Sequence, residues 1–279
     1  MVLLSMLAVP AAAVQAARAG QTGCLQCHKP HYAKIGSCVS CHRGDGRSDR
    51  SAIAHRDLIR GKFSWFALPG SEPLRRGEKL LVNFACRRCH SSAGKGNRLA
   101  INLDRLPANT SPQKIFDSIK SPALFMPDFR CDDRQVADLV NAVLAGALKA
   151  GRAGSETPQV VHFEKLQLHK ENIFEKQCGP CHKVLTIARG ALGKGDIGPN
   201  LSGLFTEFYP KTWKNDGRWT AENLKKWLNN PREIRVNCQM LPVLLKKDEV
   251  DQLLIILAHQ NGTRGGHPVP TRNLRCNLG

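Results

Sequence analysis

Cys24-Leu-Gln-Cys27-His28, Cys38-Val-Ser-Cys41-His42, Cys86-Arg-Arg-Cys89-His90 and Cys178-Gly-Pro-Cys181-His182 are four copies of one five-residue pattern. They use most of the chain's 11 cysteines. C-x-x-C-H is the attachment pattern of a c-type haem. Two thiols separated by two residues form thioethers to the two vinyl groups of one haem, and the adjacent His sits beneath the iron as proximal ligand. The spacing therefore predicts four covalently attached haems. Zinc sites and thioredoxin-like pairs also use C-x-x-C, but neither requires His directly after every second Cys.

The surroundings of the motifs fit that reading. The 279 residues are 42% apolar and 23% charged, with mean hydropathy −0.31, which excludes an integral bundle of membrane helices. Val2 to Ala17 is apolar and ends in Ala16-Ala17-Arg18-Ala19-Gly20, the form of a secretory signal with an A-x-A-like cleavage site. Residues 1–20 are read as that signal, with a short membrane anchor as the alternative. A periplasmic or otherwise exported location follows.

Gly/Pro/Ser punctuation divides the rest into blocks at 21–70, 71–150 and 151–262, with an irregular tail at 263–279. The first block carries two motifs in quick succession and little apolar periodicity, so it is expected to be irregular, with haems as its core. The other two blocks repeat one plan. An amphipathic helix leads into the motif, Leu74 to Phe84 or Phe163 to Phe174. A helix with a hydroxyl start signal follows, Ser111-Pro112-Gln113 or Thr220-Ala221-Glu222. A Met near Pro comes next, then an apolar-periodic helix, Asp132 to Ala145 or Lys246 to Gln260. The expected class is all-α, with no strand needed.

Each of these two blocks resembles a class I cytochrome c domain, and together the resemblance covers residues 73–262. In the third block it includes Gly198-Pro199-Asn200-Leu201, similar to the family's loop whose carbonyl orients the proximal His. It also includes Trp219-Thr-Ala-Glu-Asn-Leu-Lys-Lys-Trp227-Leu228, similar to the middle helix, and Met240-Leu241-Pro242, similar to the ligand loop. The second block has Met126-Pro127-Asp128-Phe129 but no counterpart of the Gly-Pro-Asn loop after His90. The resemblance implies two tandem helical haem domains that transfer electrons. The first block, where another His closely follows C-x-x-C-H, resembles the closely packed multihaem cytochromes.

Sixth ligands follow by counting. Met1 and Met6 lie in the signal, which leaves Met126 and Met240, one for each repeated block. Met with His raises an iron's potential relative to two His ligands. The first block has no Met but two histidines outside its motifs, His31 and His55. We assign His31 to the haem on Cys38/Cys41 and His55 to that on Cys24/Cys27, with the reverse pairing as the alternative. The metal ligands expected are thus His28, His31, His42, His55, His90, Met126, His182 and Met240. His162, His169, His259 and His267 read as surface residues, and Trp213, Trp219 and Trp227 as packing near the fourth motif. Cys131, Cys238 and Cys276 remain. A disulfide between two of them is expected, and a thiolate ligand or reactive site is the alternative.

The formal charge is +18, from 41 Lys+Arg against 23 Asp+Glu. Basic groups at Arg87-Arg88, Lys225-Lys226 and Lys246-Lys247 suit acidic redox partners. The signal and the motifs argue against nucleic acid. The expected function is electron transfer from two lower-potential bis-His haems to two higher-potential His/Met haems, without catalysis. Membership of a membrane quinol-oxidising or terminal reductase complex is one alternative. A haem enzyme, such as a peroxidase or sulfur-compound oxidoreductase, is another, but it needs an open iron, and each motif here has a candidate sixth ligand.

Overall fold

The computed structural model describes residues 22–106, 110–123, 125–150, 172–187 and 189–258. The signal, the linker at 151–158, the first part of the helix expected from Phe163, the tail, the four surface histidines and Cys276 lie outside the described residues.

The described chain is largely helical. The first block holds α1 (Thr22–Cys27), α2 (Cys38–His42) and α3 (Ser51–Ala54), none of them longer than six residues. The second block is built on α4 (Glu72–Asn83), α5 (Pro112–Lys120) and α6 (Asp133–Ala150). Its helix starts follow from sequence. The Ser111 hydroxyl accepts from Lys114 N at 3.2 Å, and Pro112 sits where an amide would be orphaned. At α6, Asp132 Oδ1 accepts from Gln135 N at 2.8 Å while Gln135 Oε1 accepts from Asp132 N at 3.0 Å, a reciprocal capping box.

Helix α6 is buried from Val136 to Gly146 because it is covered on several sides. Helix α4 crosses it through Leu74, Gly77 and Leu81. The crossing is so close that a Cβ on Gly77 would lie 1.9 Å from the Asp138 carbonyl oxygen. Beside it, Arg76 pairs with the buried Asp138 through Nε and Nη2 at 2.6 and 3.0 Å.

The core does not respect the punctuation at residues 69–73. Ile59, Phe63 and Phe66 join the second-block core through a 3₁₀ helix at Gly61–Ala67. Asn141, fully buried in α6, holds that segment: its Oδ1 accepts from Phe66 N at 2.9 Å and its Nδ2 donates to Lys62 O at 2.9 Å. Haems were expected to be the only core of the first block, but its end is anchored in an ordinary apolar core. Aromatic residues just before a Pro/Gly stretch gave no periodicity from which to read this.

In the third block α7 (Ile173–Gln177), α8 (Ala221–Asn229), α9 (Pro231–Ile234) and α10 (Lys247–Ala258) surround a separate core of Phe174, Leu192, Leu204, Leu224, Leu253 and Leu257. Asn172 and Thr220 cap α7 and α8 with side-chain oxygens. One element departs from the all-α expectation. Strands β1 (Val184–Thr186) and β2 (Gly190–Leu192) pair antiparallel, with Leu185 opposite Ala191. Gly190 takes φ +65 and Gly193 φ +81, and a Cβ at Gly193 would stand 2.0 Å from His182 O. The chain must double back over the motif here, and three-residue strands leave too short a pattern to recognise.

Candidate haem sites

In three of the four motifs the proximal imidazole is aimed by a backbone carbonyl. His42 Nδ1 donates to Ile59 O at 3.1 Å, His90 Nδ1 to Ile101 O at 2.8 Å, and His182 Nδ1 to Pro199 O at 2.8 Å. A carbonyl can only accept, so Nδ1 carries the proton and Nε2 keeps its lone pair for a metal. Burial also pushes the His90 pKa down, which favours the neutral ring. The Pro199 contact matches the expectation from Gly198-Pro199-Asn200. The other two were missed, and for His90 the absence of a matching loop proved no obstacle, because Ile101 supplies the carbonyl. The faint signal was spacing: Ile59 and Pro199 each lie 17 residues after their His.

The loops that carry these carbonyls are wrapped on the motifs. Leu99 N and Ala100 N both donate to Cys89 O, and Asn97 N donates to Arg87 O. The Asp104 carboxylate fixes the turn between them by accepting from Ala93 N and Gly94 N at 2.6 and 2.8 Å. At the fourth motif, a Cβ on Gly198 would lie 2.2 Å from His182 Cε1. Only glycine lets this chain pass the imidazole.

Cys86, Cys89 and Cys178 sit in apolar surroundings, whereas Cys27 and Cys181 are exposed. Burial pushes Cys86 up to about 11 and Cys178 up to about 12. Such settings hold a thiol neutral and suit an uncharged thioether better than a metal-bound thiolate. In the first block, the Cys24 and Cys38 side chains are hydrogen-bonded to each other, and burial followed by Cys38 raises the Cys24 pKa. The first thiols of two successive motifs therefore touch.

The spare histidines pair with the proximal ones. His28 and His55 have ring centres 6.0 Å apart with planes tilted by 55°, and His31 and His42 have centres 5.7 Å apart at 82°. An iron held between two imidazoles, at about 2.0 Å from each nitrogen, needs ring centres about 6 Å apart. The residues present fit that group.

The two methionines are both half-buried. Met240 packs on the core that includes Cys178, and its sulfur accepts from Trp227 Nε1 at 3.1 Å. Trp227 stands edge-on to Trp219, and Trp219 to Trp213, with centres 5.5 and 5.1 Å apart. Met126 follows Phe125, which shares an apolar cluster with Cys89 and Leu99. Cys131 is buried in the second-block core and Cys238 is half-buried, and neither is in a disulfide. A Cys131–Cys238 bridge is therefore not formed: Cys131 lies in the second-block core, of which Cys238 is no part. Burial, then Asp132 and Asp128, raise the Cys131 pKa, which opposes a reactive thiolate.

Residues 72–141 match the family model described as Cytochrome C oxidase, cbb3-type, subunit III. This supports a c-type cytochrome. A cytochrome c domain implies a covalently bound c-type haem and, in general, haem-mediated electron transfer. The matched segment runs from α4 through the third motif to the middle of α6. No solved structure matches the chain. Among the described residues, no helix is long and apolar enough to cross a membrane.

Proposed function

We propose that this protein is an exported tetrahaem c-type cytochrome that passes single electrons from two bis-His haems to two His/Met haems. The observation that carries the reading is the pairing of His28 with His55 and His31 with His42, each at the separation one iron requires. It is supported by the carbonyl-aimed proximal rings and by the apolar setting of Cys86 and Cys178. The bound haems supply one-electron chemistry. The chain's own groups orient the ligands, exclude water and set each potential through ligand type, burial and nearby charge. Basic groups near the haem edges would draw in acidic redox partners, with contact weakening as salt rises.

Haem quantification with low-temperature electron paramagnetic resonance on the oxidised protein tests this. The expected result is four low-spin haems, two bis-His and two His/Met. Fewer than four, or a substantial high-spin fraction in the native protein, refutes the reading. A second reading, a haem-bearing subunit of a membrane oxidase or reductase complex, is favoured by the family matched at residues 72–141. Retention on salt-washed membranes with other subunits would select it over a free shuttle.

Two further outcomes follow for the fourth site. Met240→His should lower its midpoint potential, since two His ligands favour ferric iron relative to His/Met. Potentiometric titration checks this, and an unchanged value means that Met240 is not the ligand. Trp227→Phe should lower the same potential more modestly, because the indole N–H withdraws electron density from the Met240 sulfur. A net hydrogen bond of about 1 kcal/mol corresponds to about a fivefold change in the reduction equilibrium.

A further inference from the structure

The second and third blocks meet at a junction made of the groups that frame their haem motifs. Arg88, inside Cys86-Arg-Arg-Cys89, donates from Nη1 to Asn200 O at 3.2 Å. Asn200 directly follows Pro199, whose carbonyl holds His182. The Asn200 side chain turns the other way and donates from Nδ2 to Phe125 O at 3.0 Å, one residue before Met126. One residue thus touches the third site's attachment motif and its methionine loop while forming part of the loop that aims the fourth site's histidine.

The surroundings keep the Arg88 charge in place. Its guanidinium lies over the ring of the buried Tyr209, with the guanidinium carbon 5.8 Å from the ring centre, and Tyr209 Oη donates to the same Asn200 carbonyl at 3.3 Å. The Arg88 carbonyl accepts from buried Asn97, whose Nδ2 also donates to Thr206 Oγ1 at 2.9 Å. Gly203 closes the seam, since a Cβ there would come within 2.8 Å of Arg88 O. Apolar contacts of Leu185 and Ala191 with Cys89, Leu99 and Phe125 complete it. The hairpin that the sequence did not disclose therefore provides one wall of this interface. Its neighbour Arg87 has a different role: its Nε donates to Ser92 O, within its own block.

We propose that Arg88 is a shared positioning residue that couples the third and fourth haem sites. Its permanent charge, seated at the junction, disfavours the ferric state of both irons and raises both potentials together. The proposal rests on the reading of the two motifs as haem sites.

The test is a redox titration, followed by electron paramagnetic resonance, of the full-length haem-loaded protein and of R88Q, R88K and R87Q. R88Q should lower the reduction equilibrium constants of both sites about tenfold, or about 59 mV for one electron. R87Q should lower only the third, and R88K should lower both measurably but by less than R88Q, since it keeps the charge but not the reach to Asn200. An R88Q shift confined to the third site, like that of R87Q, overturns the proposal, as does no shift at all. Should R88Q not load four haems, R88K decides. Its shorter ammonium, withdrawn from Asn200, should then lower the fourth potential measurably, and an unchanged fourth potential overturns the coupling. Failure of the underlying reading looks different: the unaltered protein would lack haem at Cys86/Cys89 or Cys178/Cys181 by peptide mass.

Discussion

Gly77→Ala should destabilise the second block by about 2–3 kcal/mol, although alanine is the better helix former. Helical propensity favours the substitution by about 1 kcal/mol. The new methyl, however, would meet the Asp138 carbonyl oxygen at 1.9 Å and the Ala142 Cβ at 3.1 Å. The obstacle is backbone in the middle of α6, so α4 must move away bodily. Overpacking of this kind costs about 3 kcal/mol or more when no flexible side chain can yield. Displacement of α4 also pulls Arg76 from Asp138, leaving a carboxylate that is only 4% exposed without its partner. Urea unfolding at constant m-value reads the loss as a lower midpoint. A variant as stable as the parent would show that the helices do not cross this closely.

The second large effect belongs to the histidines of the first block. His31→Ala and His55→Ala should each convert one haem from low-spin to high-spin, because the iron loses one of the two nitrogen ligands that the protein supplies. The two variants should not be equivalent. The His31 and His42 rings stand at 82° to each other, whereas the His28 and His55 rings are tilted by 55°. Nearly perpendicular imidazole planes leave two iron d orbitals close in energy, which gives the most anisotropic low-spin resonance. His31→Ala should therefore remove the more anisotropic bis-His signal and His55→Ala the other. Each affected haem should also gain potential, since a neutral donor that favours ferric iron has gone. Loss of the same signal in both variants would mean that the pairs do not each hold one iron.

Much of this protein is legible in residue order because haem attachment is a local chemistry. Thiols two residues apart with a following His must be contiguous to meet one haem, so the four motifs from Cys24 to His182 show that pattern without any fold. Helix starts are local too, and Ser111 and Thr220 were readable because a capping oxygen acts within three residues. Long-range choices left no such mark. Nothing in the sequence tells that Ile59 and Ile101 turn their carbonyls to His42 and His90, since every residue has a carbonyl and only the loop path selects one. Nor does it tell that Asn141 reaches back to Lys62 and Phe66, or that Cys131 is buried in the second-block core apart from Cys238. The Arg88 to Asn200 contact spans 112 residues. Sequence by itself singled out the cysteines and histidines that form a haem-attachment pattern; tertiary structure decided which carbonyl meets each ring, which histidines stand together and which charge lies between two motifs, because those depend on distances through space that no spacing along the chain encodes.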